Sequence, residues 1–126
     1  MNESREEKFL PGQHIIDGYG RGGFRFADMS HQGNILSLPS GMCDWAVTLP
    51  TFGKADFVKV FAESEKIDMF LLGCGLSVMP ILSNVRQIFK EYNIAFDPML
   101  TAAAARTYNI LLAEGRRVSC GLIAVS

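Results

Sequence analysis

A glycine-flanked cysteine is the stretch of this chain whose residue types are best suited to chemistry. Gly73-Cys74-Gly75 follows the apolar residues 67–72, which are typical of a buried strand, and it precedes a predicted helix. Ligands of parallel sheets gather at the carboxyl ends of strands, where backbone N–H groups face outward. The pattern therefore predicts an anion or small-ligand pocket at this turn, although a tight turn alone also favours two glycines.

The Cys74 thiol is itself a candidate nucleophile, because a helix N-terminus beside a thiol promotes its ionisation. No base stands next to it in the sequence, and a small buried cysteine is the commoner case. A dinucleotide fingerprint would need a third glycine where Val78 stands, and a serine nucleophile elbow would need one at Met79,. We therefore assign no catalytic residue and expect no cofactor.

Arg106 is the most informative single residue, because its own helix offers no acid to pair with it. The residues at i−4, i+3 and i+4 are all uncharged: Ala102, Asn109 and Ile110,. The guanidinium fork suits an anion or the carboxylate of a partner. The alternative, which the sequence slightly favours, is a structural ion pair with one of three acids elsewhere in the chain: Asp17, Asp28 or Asp97.

These considerations define a candidate ligand pocket near one edge of the predicted fold. It contains six residues from the turn, the following loop and the last helix: Gly73, Cys74, Gly75, Asp97, Thr101 and Arg106. In an enzyme, Cys74 or Asp97 would be the reactive group. A metal site is not expected, since His14 and His31 have no partners at ligand spacing.

A long helix starting near residue 101 must position Arg106. Apolar or core-compatible residues recur there at helical spacing on one stripe: Leu100, Ala103, Ala104, Thr107, Tyr108, Leu111 and Leu112,. Gly115 stands where a left-handed residue would end the helix. The apolar residues 118–125 follow, and they predict a final strand that lies inside a sheet.

The remaining patterns divide the chain into a β-rich first half and a second half that alternates helices and strands. Strands are predicted over residues 14–19, 24–28 and 35–39, the last two joined in a hairpin by a turn at 31–34. A further strand is predicted at 44–49. The second half predicts helices at 54–64 and 80–92 and strands at 67–72 and 94–96.

This order predicts an α/β fold class, in which a layered mixed β-sheet is flanked by helices and preceded by an antiparallel β region. We divide the chain into a flexible N-terminal tail, residues 1–13, and a single α/β domain, residues 14–126. The tail prediction rests on its high content of charged and amide side chains before Pro11-Gly12,.

Composition excludes several functional classes. Apolar residues make up 48% and charged residues 20% of the chain, and the net charge is −1. This balance is typical of a globular protein and offers no basic surface for nucleic acid. No apolar run reaches the ~18 residues that a membrane helix needs. Three widely spaced cysteines favour thiols in a reducing compartment, so we expect a cytoplasmic protein.

Three groups of residues resemble a family of small, mostly uncharacterised proteins of bacteria, archaea and eukaryotes. They are residues 16–20 with 23–26, the Leu-Leu-Gly-x-Gly pattern at 71–75, and residues 105–109 with 114–118. One branch of that family serves as an assembly factor for mitochondrial respiratory complex I, and another is a cytoplasmic adipogenesis-associated protein. The resemblance implies a mixed β-sheet layered with helices, and it implies no general enzymatic activity or cofactor.

Two positions depart from the family pattern. Family members often carry threonine where this chain has Cys74, and glutamate near the start of the last helix, where it has Asp97-Pro98. Any role that depends on those family side chains therefore does not transfer directly.

The sequence favours a non-catalytic binding or assembly-factor-like protein with a protein partner. The alternative is a small-molecule or anion-binding enzyme that uses the Gly73-Cys74-Gly75 turn. A deep cleft joining Cys74, Asp97 and Arg106 would favour the enzyme. A further possibility is a homodimer in which the strand at 24–28 pairs across a two-fold axis.

Overall fold

The computed structural model describes residues 10–47 and 52–126. Within these ranges it contains nine strands and three α-helices. They are β1 (Leu10–Pro11), β2 (Gly18–Gly20), β3 (Gly23–Phe26), β4 (Met29–Gln32), β5 (Ile35–Leu38), β6 (Gly41–Asp44), α1 (Val58–Ala62), β7 (Met69–Gly73), α2 (Ser83–Glu91), β8 (Ala95–Met99), α3 (Thr101–Ala113) and β9 (Val118–Leu122). Two 3₁₀ turns flank α1, at Lys54–Phe57 and Ser64–Lys66.

Six strands form one mixed sheet in the order β1-β6-β5-β9-β7-β8. The strands β9, β7 and β8 are parallel to one another, and the other neighbouring pairs are antiparallel. Parallel neighbours need crossover connections, which α2 and α3 supply. The predicted fold class, a layered mixed sheet with helices and an antiparallel β region, is confirmed.

The last strand lies inside the sheet, as its apolar composition predicted. β9 pairs antiparallel with β5 and parallel with β7, and all five of its residues are buried. β7 is likewise covered on both faces: Phe70 and Leu72 pack into one core and Leu71 into the other. Strands covered on both faces are expected to be apolar throughout rather than alternating.

The strands β2, β3 and β4 form a separate antiparallel sheet. Two-residue turns join them, and the four turn residues have positive φ: Arg21 (53°), Gly22 (79°), Ala27 (50°) and Asp28 (61°). Such φ values are those of type I′ turns, whose twist matches that of the flanking strands. The small sheet is therefore a meander of very short strands.

The predicted hairpin between residues 24–28 and 35–39 is wrong. β3 pairs with β2 and β4, whereas β5 pairs with β6 and β9. The chain reverses at Ala27-Asp28, so residues 31–32 belong to a strand and not to the turn. Since β3 has neighbours on both sides, it offers no edge for the two-fold pairing considered above.

The two faces of the large sheet carry different cores. One face packs against the 3₁₀ turn before α1 and against α2, and it is rich in aromatic rings centred on Phe57. That ring makes edge-on contacts with Phe70 and Phe89 at centroid distances of 5.8 and 5.2 Å,. The other face packs against α3 and the small sheet, and includes Tyr108 and Leu122.

The first two helices differ from the predicted ones in extent. The first helical segment is interrupted by 3₁₀ geometry, and it buries Val60, whereas Val58 is 60% exposed. α2 begins at Ser83 rather than near residue 80. It buries Val85 and Phe89, whereas Leu82 and Tyr92 at its ends are about half exposed.

In α3 the buried face is rotated by about one residue from the predicted stripe. Thr101 and Ala105 face the sheet, whereas Leu100 and Ala103 are exposed. The helix ends as predicted: Gly115 has φ +77°, and the N–H of Arg116 donates to Leu111 O at 3.0 Å,.

The predicted flexible tail falls partly outside the described residues, which exclude 1–9. Residues 10–11 form β1 and pair with β6. The Gln13 amide donates to Ser37 Oγ (3.1 Å) and to Val118 O (2.8 Å). The strand predicted at 44–49 is wrong where it can be compared: β6 ends at Asp44, residues 45–47 are not in a strand, and residues 48–51 lie outside the described part.

No helix among the residues described is both long and apolar enough to cross a bilayer.

Candidate functional site

The glycine turn lies beneath the start of α3 with its amides already bonded. Cys74 is 1% exposed, and its N–H donates to Met99 O at 2.8 Å. The Gly75 N–H donates to Thr101 Oγ1 at 2.8 Å, and that hydroxyl donates to Ile123 O at 2.7 Å. These N–H groups therefore stabilise the junction of strand and helix and are not directed at a ligand.

The first glycine of the turn is required by close packing. A Cβ on Gly73 would lie 2.8 Å from Leu122 Cδ2 and 3.0 Å from Thr101 Cα and Oγ1. A side chain at this position would push α3 away from β7 and β9. The Leu-Leu-Gly-x-Gly pattern thus has a structural explanation, which is that it lets the helix approach the sheet.

The six predicted pocket residues do not form one site. Gly73, Cys74, Gly75 and Thr101 come together in the buried junction just described. Asp97 lies on the edge strand β8, in register with Leu71 and two positions before the turn. Arg106 lies further along α3, on its exposed side.

Arg106 instead lines a groove of about 760 Å³ between α3 and residues 16–19. Neither Cys74 nor Asp97 lines this groove. Its walls carry apolar side chains that are about half exposed, namely Leu100 (42%), Ile110 (52%) and Tyr19 (48%). Asp17 lies on the wall opposite the helix.

The ion pair that the sequence slightly favoured for Arg106 does not form. Within the residues described, its guanidinium makes no salt bridge and no hydrogen bond, with Asp17, Asp28, Asp97 or any other residue. Its five N–H donors are therefore available to a group from outside the chain.

Asn109 holds the opposite wall of the groove in place. Its Oδ1 accepts the N–H of Ile16 at 2.7 Å, and its Nδ2 donates to the carbonyl of the same residue at 2.8 Å. The side-chain amide thus replaces a neighbouring strand for one residue. A backbone segment from the start of the domain is fixed by this pair of bonds to a helix near its end.

Tyr108 fixes the same segment two residues earlier. Its hydroxyl donates to His14 O at 2.8 Å and contacts Ser37 Oγ at 2.7 Å. Burial raises the pKa of Tyr108 above its ordinary value of 10.0, so the hydroxyl remains a proton donor,. Consecutive residues of α3, Tyr108 and Asn109, therefore position the groove wall.

Sequence reasoning missed Tyr19 and Asn109 as members of this site, and it named Asp17 only as one candidate for an ion pair with Arg106. Residues 16–20 and 105–109 were recognised only as separate motifs. Asn109 and Ile16 are 93 positions apart, so no local pattern shows that they meet. The signal available in the sequence was Asn109, an amide on the same side of the helix as Arg106, which bonds to another segment and not to its own helix.

The described residues contain no group of three or more His, Cys, Asp and Glu side chains placed to hold a metal ion. The polar side chains that line the groove are one guanidinium, one carboxylate, two hydroxyls and one amide: Arg106, Asp17, Tyr19, Thr107 and Asn109.

Known proteins resemble this chain over most of its length. The family described as "protein of unknown function (DUF498/DUF598)" matches residues 16–123. An uncharacterised protein of Rhodobacter capsulatus is 34% identical over 108 residues, which cover 86% of this chain and 82% of that protein. A Bartonella henselae crystal structure, described as that of an outer membrane protein, is 44% identical with a TM-score of 0.89 and covers 94% of this chain and 100% of its own.

A Drosophila melanogaster protein named NADH dehydrogenase (ubiquinone) 1 alpha subcomplex assembly factor 3 is 32% identical over 113 residues. The match covers 86% of this chain but only 58% of that protein's length. The family match includes both walls of the groove and the glycine turn, since all three lie between residues 16 and 123. This chain belongs to the DUF498/DUF598 family.

Proposed function

We propose that this protein is a non-catalytic, assembly-factor-like binding protein that recognises a protein partner through the groove between α3 and residues 16–19. The observation that carries the proposal is the Arg106 guanidinium, which lies in the groove and has no bonding partner among residues 10–47 and 52–126. A guanidinium binds a carboxylate through two parallel hydrogen bonds, which gives both affinity and orientation.

The surroundings of Arg106 suit a polypeptide. Tyr19, Leu100 and Ile110 place apolar surface around the charge, and tyrosine and arginine are enriched at protein interfaces,. The groove wall is held by Tyr108 and Asn109, so little ordering of this protein is needed on binding.

The enzyme alternative has less support. Its reactive thiol, Cys74, is 1% exposed, and the amides that would cradle an anion donate to Met99 and Thr101. Its third component, Asp97, lies apart on an edge strand. A nucleophile has to reach its substrate, and this thiol is buried in the aromatic core on the face of the sheet opposite α3, which would first have to open,.

The Drosophila relative bears the name of an assembly factor, a class of protein that acts by binding other proteins. We extend that class of role, and not that partner, to this chain. We place its action in the cytoplasm, since Cys43, Cys74 and Cys120 are buried thiols and none forms a disulfide,.

The test is affinity capture from a native extract with wild type, Arg106→Ala and Arg116→Ala, each checked for an unchanged melting temperature. Arg116 is a matched control, because it is an exposed arginine near the other end of α3 and does not line the groove. We expect Arg106→Ala to reduce recovery of the partner at least ten-fold and Arg116→Ala to leave recovery unchanged.

A thermal-shift screen with acetate, citrate and phosphate is run alongside. Equal partner recovery by both variants would contradict the proposal. So would a small anion that raises the melting temperature of the wild type but not of Arg106→Ala when no protein partner is captured, because that result indicates a small-molecule site.

A further inference from the structure

The outer edge of β2 presents an unused pair of backbone groups. Gly20 and Gly23 flank the two-residue turn and form a hydrogen-bonded pair, so Tyr19 and Phe24 form the next, non-hydrogen-bonded pair,. The N–H and C=O of Tyr19 therefore point away from β3. In the described part of the chain, no other backbone or side-chain group bonds to them.

A bulge aligns this edge with the helix. The N–H of Asp17 donates to Arg25 O at 2.7 Å, although the strand register pairs Arg25 with Gly18. Asp17 and Gly18 thus both face Arg25. This bulge shifts by one position the alternation between residues whose backbone groups point toward β3 and residues whose backbone groups point away from it. As a result, Ile16 and Tyr19 direct their backbone groups to the same edge.

The first of these two residues is already bonded to α3. Both backbone groups of Ile16 bind the Asn109 amide, as they would bind a neighbouring strand. Tyr19 is the next outward residue on that edge, and it borders the groove that contains Arg106. The Asn109 amide therefore shows that this edge can exchange two backbone hydrogen bonds with a neighbour. In the described part of the chain, Tyr19 has no such neighbour.

The strand edge and the helix border the groove along its length. At one end Ile16 is bound to Asn109. At the other end the N–H of Gly22 donates to Val125 O at 2.8 Å, close to Ile123, which accepts from Thr101 at the start of α3. β2 thus runs antiparallel to the first half of α3, an arrangement that admits an extended chain between them.

We infer that the occupant of this groove is an extended polypeptide segment with an internal acidic side chain. Its backbone exchanges two hydrogen bonds with Tyr19, and its carboxylate binds Arg106. The inference rests on the proposed function and deepens it by naming the conformation and charge of the partner segment. A helical segment would leave both backbone groups of Tyr19 without a partner, because its own backbone groups are bonded within the helix.

The acid is internal because Arg106 lies in the middle of the helical wall, between Leu100 and Ile110. A chain that ended at its guanidinium would leave half of the groove unfilled.

The experiment is a selection from random nonapeptides displayed within a loop of a phage protein, on wild type with counter-selection on Arg106→Ala. We expect enriched sequences with Asp or Glu near the centre, β-branched neighbours and no proline. An enriched sequence is then synthesised with acetylated and amidated ends, so that it has no terminal carboxylate and only its acidic side chain can bind Arg106.

Three changes should each weaken this peptide at least ten-fold: its acid changed to the amide, Arg106→Ala, and N-methylation of the peptide residue opposite Tyr19. Arg116→Ala should leave the affinity unchanged. Hydrogen exchange of the Tyr19 amide should slow at least ten-fold in the complex, because the peptide carbonyl accepts it.

Several results would overturn the inference: no enriched sequence, binding that survives N-methylation at every position, a helical bound peptide, or a groove closed by a second copy of this chain in solution. If such a result accompanies partner loss in Arg106→Ala, the extended acidic segment is wrong and the binding role stands. If Arg106→Ala keeps its partners, the binding role itself fails.

Discussion

Neighbouring residues of α3 that look equivalent in the sequence have opposite roles. Tyr108 and Asn109 bind backbone groups of residues 14–16, whereas Arg106, a turn of helix away, binds nothing in the described chain. Buried or half-buried polar groups must be satisfied, but an exposed guanidinium can be satisfied by water. The first two side chains therefore contribute to stability, and the recognition role that we propose for Arg106 does not conflict with that contribution.

Replacing Asn109 by Asp should destabilise the protein by about 1 to 3 kcal/mol, because the carboxylate keeps the acceptor for Ile16 N–H but loses the donor to Ile16 O,. Chemical denaturation at pH 7 measures this change. The matched control is Gln87→Ala, which removes an exposed amide from α2 whose bond to Glu91 is 3.4 Å long. Equal stability of Asn109→Asp and wild type would show that the two hydrogen bonds between Asn109 and Ile16 do not hold the groove wall.

At the scale of elements, glycines set the distances between layers. The β9 residue Gly121 lies under the indole of Trp45: an added Cβ would be 2.5 Å from Cζ3 and 2.7 Å from Cη2. Gly73 plays the same part between β7 and α3. Layers packed at crystal-like density do not open to admit even a methyl group without displacing neighbouring atoms.

Gly121→Ala should therefore lower the free energy of unfolding by about 1 to 3 kcal/mol, since the rigid indole has to move from its place in the aromatic core,. Trp45 fluorescence reports the displacement, and a urea titration measures the stability. Gly53→Ala is the control, because a Cβ there meets no atom within 4 Å. If both variants are as stable as the wild type, the close approach of β9 to Trp45 is not a constraint on the fold.

At the scale of the molecule, the large sheet lies between two hydrophobic cores, and two ionisable side chains are buried in one of them. Cys120 lies at the centre of β9 and faces Tyr108 across the second core. Burial raises the pKa of the Cys120 thiol above its ordinary value of 9.0, and it raises that of Tyr108 above 10.0,. Both groups stay protonated in the folded protein at pH values where the unfolded chain has lost these protons.

Stability should consequently be independent of these two groups below about pH 9 and fall as the pH rises further. Between pH 9 and 10 the unfolded state releases the thiol proton of Cys120, and above pH 10 that of Tyr108 as well. Each group adds a slope of about 1.4 kcal/mol per pH unit. Denaturation from pH 7.5 to 10.5 measures this loss.

Cys120→Ala should reduce the slope from pH 9 upward, and Tyr108→Phe should reduce it only above pH 10, whatever each variant does to stability at neutral pH. Slopes that match the wild type in both variants would mean that these groups ionise in the folded state as easily as in the unfolded one.

The elements that depend on local chemistry were determined by the sequence itself. Residues 67–72 are apolar without alternation, which predicts a strand covered on both faces, and β7 is such a strand. Gly115 is predicted as a left-handed residue at the end of the last helix, and its φ is +77°. Periodicity and backbone strain act over a few residues, so they can be recognised without knowledge of the fold.

Contacts between distant segments were decided only by the tertiary structure. A hydrophobic period indicates that a face is buried, but not which element covers it. The glycine turn is therefore predicted as a ligand pocket, although its amides bond to Met99 and to Thr101 at the start of α3. The partner of β3 depended on which of two nearby turns reversed the chain. The Arg106 groove depends on Asn109 meeting Ile16 across 93 residues, and its existence follows from packing, not from any one stretch of sequence.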